Sequence, residues 1–162
     1  MTKFDIKTRL RRVVWYNGDM LKLWTDGSAN PNPGPGGFAV ILEQEDGSGR
    51  PVILGREKIS SNNRMEGFAI IAAIRGAKGR PVEIHTDSQF WINVMTKWMD
   101  GWAEKGWKKK SGEIKNLDIV KQIYELYDPE QVKLVWVRGH VGTELNEMAD
   151  EWANKAREGA TL

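Results

Sequence analysis

The stretch Leu21-Lys-Leu-Trp-Thr-Asp-Gly-Ser28 decides how the chain folds, because it joins a strand to an abrupt turn. Leu21, Leu23 and Thr25 alternate with the residues between them, which is the period of a half-buried β-strand. The strand runs into Asp26-Gly27-Ser28, residue types that favour turns. We therefore expect the Asp26 carboxylate at the end of a strand, where a polar ligand can reach it. Taken alone, Asp26 could equally serve only the turn.

Composition narrows the classes of protein to consider. A chain of 162 residues usually folds around one core, and an apolar fraction of 40% suits a globular domain. There is no cysteine, which excludes disulfides, thiolate metal sites and cysteine nucleophiles. No apolar run approaches the roughly 20 residues that cross a bilayer, and the first residues lack the apolar stretch of a signal peptide. We expect a cytoplasmic protein without a membrane partner.

Positive charge is concentrated in two segments of the chain. Residues 1–20 hold five cations against two acids, and residues 97–115 hold six against three. Residues 116–162 have the opposite balance, with five cations against nine acids. This division suits a polyanion bound at one place and a metal ion held at another, although a solvated charged face would also explain either basic cluster.

The order of hydrophobic periods predicts an α/β fold. Residues 30–37 hold too many prolines and glycines for a regular element and are expected to form a loop. Strands at 38–43 and 52–60 complete an antiparallel meander with the first strand. Strands at 82–87 and 132–137 alternate with helices that begin near residues 63, 88, 117 and 145. Because strand-helix-strand connections are right-handed and give parallel neighbours, we expect a five-stranded mixed sheet with helices on both faces.

Four acidic residues lie at the edges of these elements: Asp26, Glu66, Asp87 and Asp150. Glu66 could simply close a capping box with Asn63, and Asp87 could cap the helix that follows it. Asp150 could be an exposed flank of the last helix. Their joint position is harder to explain in this way, because ligands of open α/β sheets bind in the crevice beyond the strand ends. Converging carboxylates repel one another unless cations are present, and magnesium prefers such oxygen ligands, so the pattern predicts a divalent metal site.

Five short motifs give the chain a resemblance to a known family. They are Thr25-Asp-Gly-Ser28, Asn62-Asn-Arg-Met-Glu66, Thr86-Asp-Ser-Gln89, Gly139-His-Val-Gly142 and Asn146-Glu-Met-Ala-Asp150. In this order the chain resembles type 1 ribonuclease H, and the tryptophan-rich basic segment after residue 96 resembles the insertion of bacterial members. The resemblance implies a ribonuclease H-like domain over residues 20–158, a basic N-terminal extension at 1–19 and a short C-terminal tail at 159–162.

The resemblance also implies an activity and its cofactors. Members of the family are endonucleases that cut the RNA strand of RNA·DNA hybrids with two Mg²⁺ ions, which Mn²⁺ can replace, and leave 5′-phosphate and 3′-hydroxyl ends. Asp26, Glu66, Asp87 and Asp150 match the metal-binding carboxylates, with Asp26 bridging both ions. His140 matches the loop histidine that transfers a proton. The enzyme is expected to act as a monomer.

Further residues match the family's substrate contacts. Glu66 and the backbone near Ser28 match groups that touch RNA 2′-hydroxyls, which distinguish RNA from DNA. Side-chain amides at Asn32, Asn63 and Gln89 match groups that reach base edges in the minor groove, where little sequence is read. Weaker candidates for a DNA phosphate site are Ser61, Asn62 and Arg64. Local turn and cap bonding is the alternative for the amides.

The insertion interleaves tryptophans with lysines. By resemblance it forms a basic protrusion whose tryptophans line a channel for the DNA strand, and we expect Trp102 and Trp107 to be the exposed contacts. Lys108, Lys109 and Lys110 would attract phosphates without regard to sequence. Trp98 and Trp102 are four residues apart, so ordinary packing on one helical face is the alternative.

Two other functions compete with the leading one. An integrase- or transposase-like DNA nuclease shares the fold type but usually has three acidic residues and lacks the Gly139-His140 loop and the basic insertion. A non-catalytic hybrid-binding module would lack one of the carboxylates, and none is missing here. One departure from the family lies after the first motif, where Ala29 and Pro31 replace the usual Cys and Gly. His85 lies inside a strand and is expected to be structural.

Overall fold

A five-stranded mixed sheet forms the centre of the fold. The computed structural model describes residues 20–138 and 144–162, so the predictions for residues 1–19 and for His140 lie outside the described residues. The strands are β1 (Leu21–Ala29), β2 (Gly34–Glu43), β3 (Gly49–Ser60), β4 (Val82–Thr86) and β5 (Val132–Trp136). Their order across the sheet is β3-β2-β1-β4-β5. The meander β1-β2-β3 is antiparallel and β4 and β5 run parallel to β1, which confirms the predicted fold class.

Helices cover both faces of the sheet. They are α1 (Asn62–Ala77), α2 (Gln89–Asn93), α3 (Met99–Glu104), α4 (Leu117–Leu126) and α5 (Glu144–Arg157). The larger core lies between the sheet and α1, α2 and α4, and includes Leu23, Ile84 and Trp91. On the other face α5 packs over a smaller core around Trp24 and Ile41. Leu23 and its neighbour Trp24 thus enter different cores, as the alternation of a strand requires.

The predicted loop at residues 30–37 is wrong for its second half, because β2 already begins at Gly34. The glycines there lie in the sheet because two helices approach it closely. A Cβ on Gly36 would lie 2.7 Å from the Met65 side chain of α1, and one on Gly37 would overlap backbone atoms of Ala153 and Arg157 in α5. These glycines therefore serve packing in a strand, and only the residues before Gly34 make the turn.

The helix predicted to begin at Ser88 continues well beyond Met95. One turn of π-helix, Val94–Trp98, joins α2 to α3, and the Thr96 hydroxyl donates a 2.7 Å hydrogen bond to the carbonyl of Ile92. Trp91, Val94, Met95 and Met99 bury one side of this rod. No helix within the described residues is both long and apolar enough to traverse a bilayer.

Gly27 provides a test of how tightly β1 packs on α1. A Cβ on Gly27 would overlap the backbone of Met65 and Glu66. We expect Gly27→Ala to lower the free energy of unfolding by about 1–3 kcal/mol, because neither backbone can move aside cheaply. Gly101→Ala is the matched control, since nothing lies within 4 Å of its Cβ position and alanine favours the α3 helix. Equal stability of the two variants in urea titrations would contradict this packing.

Candidate active site

Three of the four predicted carboxylates meet at one end of the sheet. Asp26 lies within β1, Glu66 lies on α1, and Asp87 follows the last residue of β4. The turn predicted at Asp26-Gly27-Ser28 is wrong, because these residues continue β1 and pair with β2. One carboxylate oxygen from each lies within 4.8 Å of the others. Residues that are 21 to 61 positions apart in the chain therefore form one cluster, as the sequence predicted.

The parallel pairing of β1 with β4 brings the two aspartates together. In this register Trp24 stands beside His85, so Asp26 and Asp87, each two residues further on, follow on adjacent strands. Glu66 joins them because Gly27 lets the first turns of α1 lie directly against β1. The register of β1 with β4 and the absence of a side chain at Gly27 thus set the geometry of the cluster.

Neither structural alternative for Glu66 and Asp87 is realised. The N-cap of α1 is Ser61, whose hydroxyl accepts a 3.1 Å hydrogen bond from the Arg64 amide. The N-cap of α2 is Ser88, whose hydroxyl accepts a 3.2 Å hydrogen bond from the Trp91 amide. Since serines satisfy both helix starts, the two carboxylates are not required for capping.

Asp150 completes the acidic wall from α5. Its side chain is exposed, as expected for a helix flank, but it lines the same cavity of about 500 Å³ as the three clustered carboxylates. Two of the predicted contact residues, Ser28 and Asn62, line this cavity as well. The four predicted metal ligands therefore face one space.

Burial and crowding make the cluster costly for a protein without cations. Asp26 is only 6% exposed, and its burial together with the charge of Asp87 raises its pKa to about 8. Burial raises the pKa of Glu66 to about 10, with a hydrogen bond to Asp87 and the charge of Asp26 acting in the same direction. At neutral pH the group therefore tends to retain protons, which a dication would displace.

The donor set suits a hard dication. The cluster offers only carboxylate oxygens, without histidine or cysteine ligands among the described residues, and this is the set that magnesium and manganese accept. Its raised pKa values point the same way, because bound positive charge would stabilise the ionised forms. Asp26, Glu66 and Asp87 fit a divalent metal ion, and Asp150 can add a fourth ligand from across the cavity.

Asparagine side chains tie the start of α1 to the end of β1. The Asn62 side-chain oxygen accepts a 2.7 Å hydrogen bond from the amide of Ala29, and the Asn32 side-chain oxygen accepts a 3.1 Å hydrogen bond from the amide of Asn62. These bonds join residues that are 33 and 30 positions apart in the chain, so the oxygen of Asn32 serves a long-range contact and not the local turn bond given as its alternative. The amino groups of both side chains are still able to donate to a ligand.

The remaining predicted contact residues near α1 and α2 lie in different settings. The backbone carbonyl of Asn63 accepts a 2.7 Å hydrogen bond from the Trp91 indole. Gln89 is exposed at the first position of α2. The guanidinium of Arg64 forms a bidentate ion pair with Asp118, with distances of 3.0 and 2.8 Å, and thereby joins α1 to α4. Arg64 is therefore already engaged in a structural contact.

The insertion presents a second cavity, of about 430 Å³, lined by Phe90, Trp98, Trp102, Lys109 and Lys115. Trp98 is 40% exposed, and its ring centroid lies 5.9 Å from that of Trp102. Trp102 and Trp107 were both predicted to be exposed contacts, and both are half-buried against the core. The ring of Trp107 packs edge to face on Tyr124 at 5.2 Å, and its backbone is left-handed, with φ of 66°. Trp98, rather than Trp107, accompanies Trp102 in this aromatic cavity.

Lys108, Lys109 and Lys110 are exposed, as predicted for residues that attract phosphates. Sequence reasoning missed three polar side chains that line the carboxylate cavity: Asn30, Asn154 and Arg157. Spacing could have indicated the last two, because Asn154 and Arg157 follow Asp150 by four and seven residues and so share its face of α5.

Comparison with known proteins agrees with this geometry. The sequence model of the family described as RNase H matches residues 19–158. Ribonuclease H of Polynucleobacter asymbioticus is 42% identical over 138 residues, which cover 84% of this chain and 88% of the relative. Ribonuclease H of Bordetella pertussis is 40% identical over 147 residues, covering 89% and 93%.

Solved structures extend the likeness to three dimensions. The crystal structure of LC9-RNase H1, described as a type 1 RNase H with the type 2 active-site motif, is 34% identical with a TM-score of 0.70 and covers 88% of this chain and 74% of its own. LC11-RNase H1, solved in complex with an RNA/DNA hybrid, has a TM-score of 0.63 at 23% identity, covers 85% and 96%, and shows the common fold. On the family match and the identities of its bacterial relatives, the chain belongs to the ribonuclease H family.

Proposed function

We propose that the carboxylate cavity hydrolyses the RNA strand of RNA·DNA hybrids and leaves 5′-phosphate and 3′-hydroxyl ends. The observation that carries this proposal is the convergence of Asp26, Glu66 and Asp87 at the ends of two parallel strands. Such a cluster is expensive to bury unless it binds cations, and membership of a nuclease family supplies a reason for that cost. All four carboxylates of the family's motifs are present in the chain, which favours an enzyme over a binding module.

Asp26, Glu66, Asp87 and Asp150 are the residues that would hold the metal, with Mg²⁺ as the proposed ion and Mn²⁺ as its substitute. Two such ions would polarise a phosphodiester and align a water with the leaving 3′ oxygen for in-line displacement. The protein's own part is to fix four acids at the end of a rigid sheet. His140 is proposed to move a proton near the reacting groups, in a loop that lies outside the described residues.

Recognition of the hybrid would use both cavities. An RNA strand in the carboxylate cavity would bring its 2′-hydroxyl near Glu66 and Ser28, while the DNA strand would run past Trp98 and Trp102. Aromatic faces stack on any base or sugar and lysines attract any phosphate, so binding would depend little on sequence. A protein of the same fold, LC11-RNase H1, has been solved in complex with an RNA/DNA hybrid.

The proposal also includes action as a monomer in the cytoplasm. The carboxylate cavity is lined by residues of one chain, so it needs no second copy to complete its acidic wall. A chain without cysteine is compatible with a reducing compartment. Sedimentation of the purified protein at micromolar concentration would reveal a dimer if one forms.

We expect cleavage of RNA·DNA in Mg²⁺ or Mn²⁺, and not of RNA·RNA or DNA·DNA. Asp26→Asn and Asp87→Asn should abolish nearly all cleavage while the fold is retained, because each removes a proposed metal ligand. Glu125→Gln is the control, as an exposed carboxylate on α4. Labelled duplexes resolved on gels give the result. Cutting in chelator, or equal cutting of all three duplexes, would exclude the proposed reaction, and preference for DNA·DNA would favour the integrase-like alternative.

The raised pKa of Asp26 predicts how stability depends on pH in a chelator. Because the folded-state pKa of about 8 lies above the ordinary 3.8, folding binds a proton between these values, and stability falls as pH rises through that range. Asp26→Asn should therefore flatten the profile and stabilise the protein at pH 8, by on the order of 2 kcal/mol. Urea titrations from pH 5 to 9 measure this effect. Profiles of equal slope for Asp26→Asn and for Glu125→Gln would contradict it.

Replacing Lys108, Lys109 and Lys110 by alanine should weaken hybrid binding and flatten its salt dependence. Each lost phosphate contact lowers the slope of log affinity against log salt by about one. The matched control replaces three exposed cations near the opposite end of the sheet, Arg75, Arg80 and Lys133. Binding is measured by fluorescence anisotropy in Ca²⁺ at several salt concentrations. Unchanged affinity at low salt, or an equal loss in the control, would argue against a contact role.

A further inference from the structure

One cation stands in the wall of the carboxylate cavity. Arg157 is the only basic side chain among the described residues that line it, against four carboxylates. It ends α5 seven residues after Asp150, with Asn154 between them on the same face. The side chain of Arg157 is only 16% exposed, so its charge sits largely within the protein surface.

The hydrogen bonds of Arg157 use only part of the donor capacity of its guanidinium. Its Nη2 donates to the Asn154 side-chain oxygen at 3.2 Å, and its buried Nε has no acceptor among the described residues. Its ion-pair partner in the described chain is Glu158, at 4.0 Å and 71% exposed, which makes a weak pair. Guanidinium groups carry five donors, so this one retains the capacity to bind an anion.

Arg157 serves neither of two structural roles that its position suggests, which are pairing with the cavity carboxylates and capping α5. No ion pair within 4.0 Å joins it to the described cavity carboxylates, and it is not among the groups that shift the pKa of Asp26 or Glu66. It is not required for capping α5 either. Backbone amides of Glu158, Gly159 and Ala160 bond the carbonyls of the helix's last turn.

The position of Arg157 is built into the fold. The Asn154 side-chain oxygen that accepts from Arg157 also accepts a 2.7 Å hydrogen bond from the Ser28 hydroxyl of β1. Ser28 pairs with Gly37 of β2, and a Cβ on Gly37 would overlap the backbone of Arg157. The end of α5 is thus seated directly on the strands that form the cavity, and the Asn154 amide holds the guanidinium toward them.

We propose that Arg157 binds a phosphate of the RNA strand that neighbours the scissile one, with Asn154 and Ser28 as the residues that position it. This inference rests on the proposed function. Seven residues of helix separate Arg157 from Asp150 by about 10 Å along the axis, so a phosphate held at Arg157 differs from one held by metal at the carboxylates. The proposed substrate offers phosphodiesters beside the carboxylates, and a guanidinium can bind two oxygens of such a group as a fork.

The test neutralises one RNA phosphate at a time. Each hybrid carries a single methylphosphonate beside a 2′-O-methyl nucleotide, and its matched control carries the same nucleotide with an ordinary phosphate. At one phosphate beside the cut we expect wild type to lose about tenfold or more in kcat/KM, as for a charged hydrogen bond. Arg157→Gln should lose a similar factor on the unmodified hybrid and nothing further at that phosphate.

Two further variants separate binding from a structural effect. Arg157→Lys keeps the charge without the fork and should recover part of the sensitivity at the same phosphate. Lys155→Gln removes an exposed cation of the same helix, paired with Glu151, and should leave the scan unchanged. If Arg157→Gln is unstable in thermal unfolding, Arg157→Lys is scanned in its place, with dissociation constants measured in Ca²⁺.

The outcomes distinguish this inference from the proposed function. If Arg157→Gln and the neutralised phosphate lower kcat/KM additively at every position, or if Lys155→Gln has the same effect as Arg157→Gln, the role of Arg157 is overturned. The proposed function still stands in that case, provided that wild type cleaves the unmodified hybrid. Failure of wild type to cut unmodified hybrid overturns both. Loss of sensitivity at one phosphate in Arg157→Gln supports both.

Discussion

The close approach of β1 to α1 at Gly27 is the constraint on which the carboxylate cavity depends. Any side chain there would overlap the backbone of Met65 and Glu66, so only glycine lets a helix begin directly against the strand that carries Asp26. The parallel register of β1 and β4 then sets Asp87 beside them. The positions of the three carboxylates are thereby set by backbone packing, and hydrogen bonds from Glu66 to Asp26 and Asp87 add to this at pH values where Glu66 is protonated.

That arrangement carries an electrostatic cost that the rest of the fold must offset. Burial, more than any one neighbouring charge, raises the pKa of Asp26 and of Glu66, so ionising these carboxyls costs free energy in the fold. The large core around Ile70, Ile84 and Trp91 holds the sheet and α1 together despite this cost. Carboxylates that are held close together before a metal ion binds destabilise the fold. Packing elsewhere in the protein must offset that cost.

Sequence predicted the parts of the fold that follow from local pattern. Alternation located the strands, and the chain order of strands and helices predicted that Asp26, Glu66 and Asp87 would meet. It missed the start of β2 at Gly34, because the need for glycine arises from helices that are distant in the chain. Asn154 and Arg157 resemble ordinary surface residues of a helix until the sheet beneath them is known. Trp107 likewise needed the position of Tyr124 to be recognised as packed.

The two cavities are mechanically linked through Trp91. Asp87 ends β4 and Ser88 caps α2, so adjacent residues begin the acidic wall and the rod that carries Trp98. Trp91, fully buried on that rod, donates its indole hydrogen bond to the carbonyl of Asn63, one turn before Glu66. The π-helical turn that follows adds one residue to the helical period, so Phe90 and Trp98 share a face with ring centroids 6.2 Å apart. Because α1, β4 and the rod are joined at Trp91, the core sets the spacing between the carboxylates and the aromatic cavity.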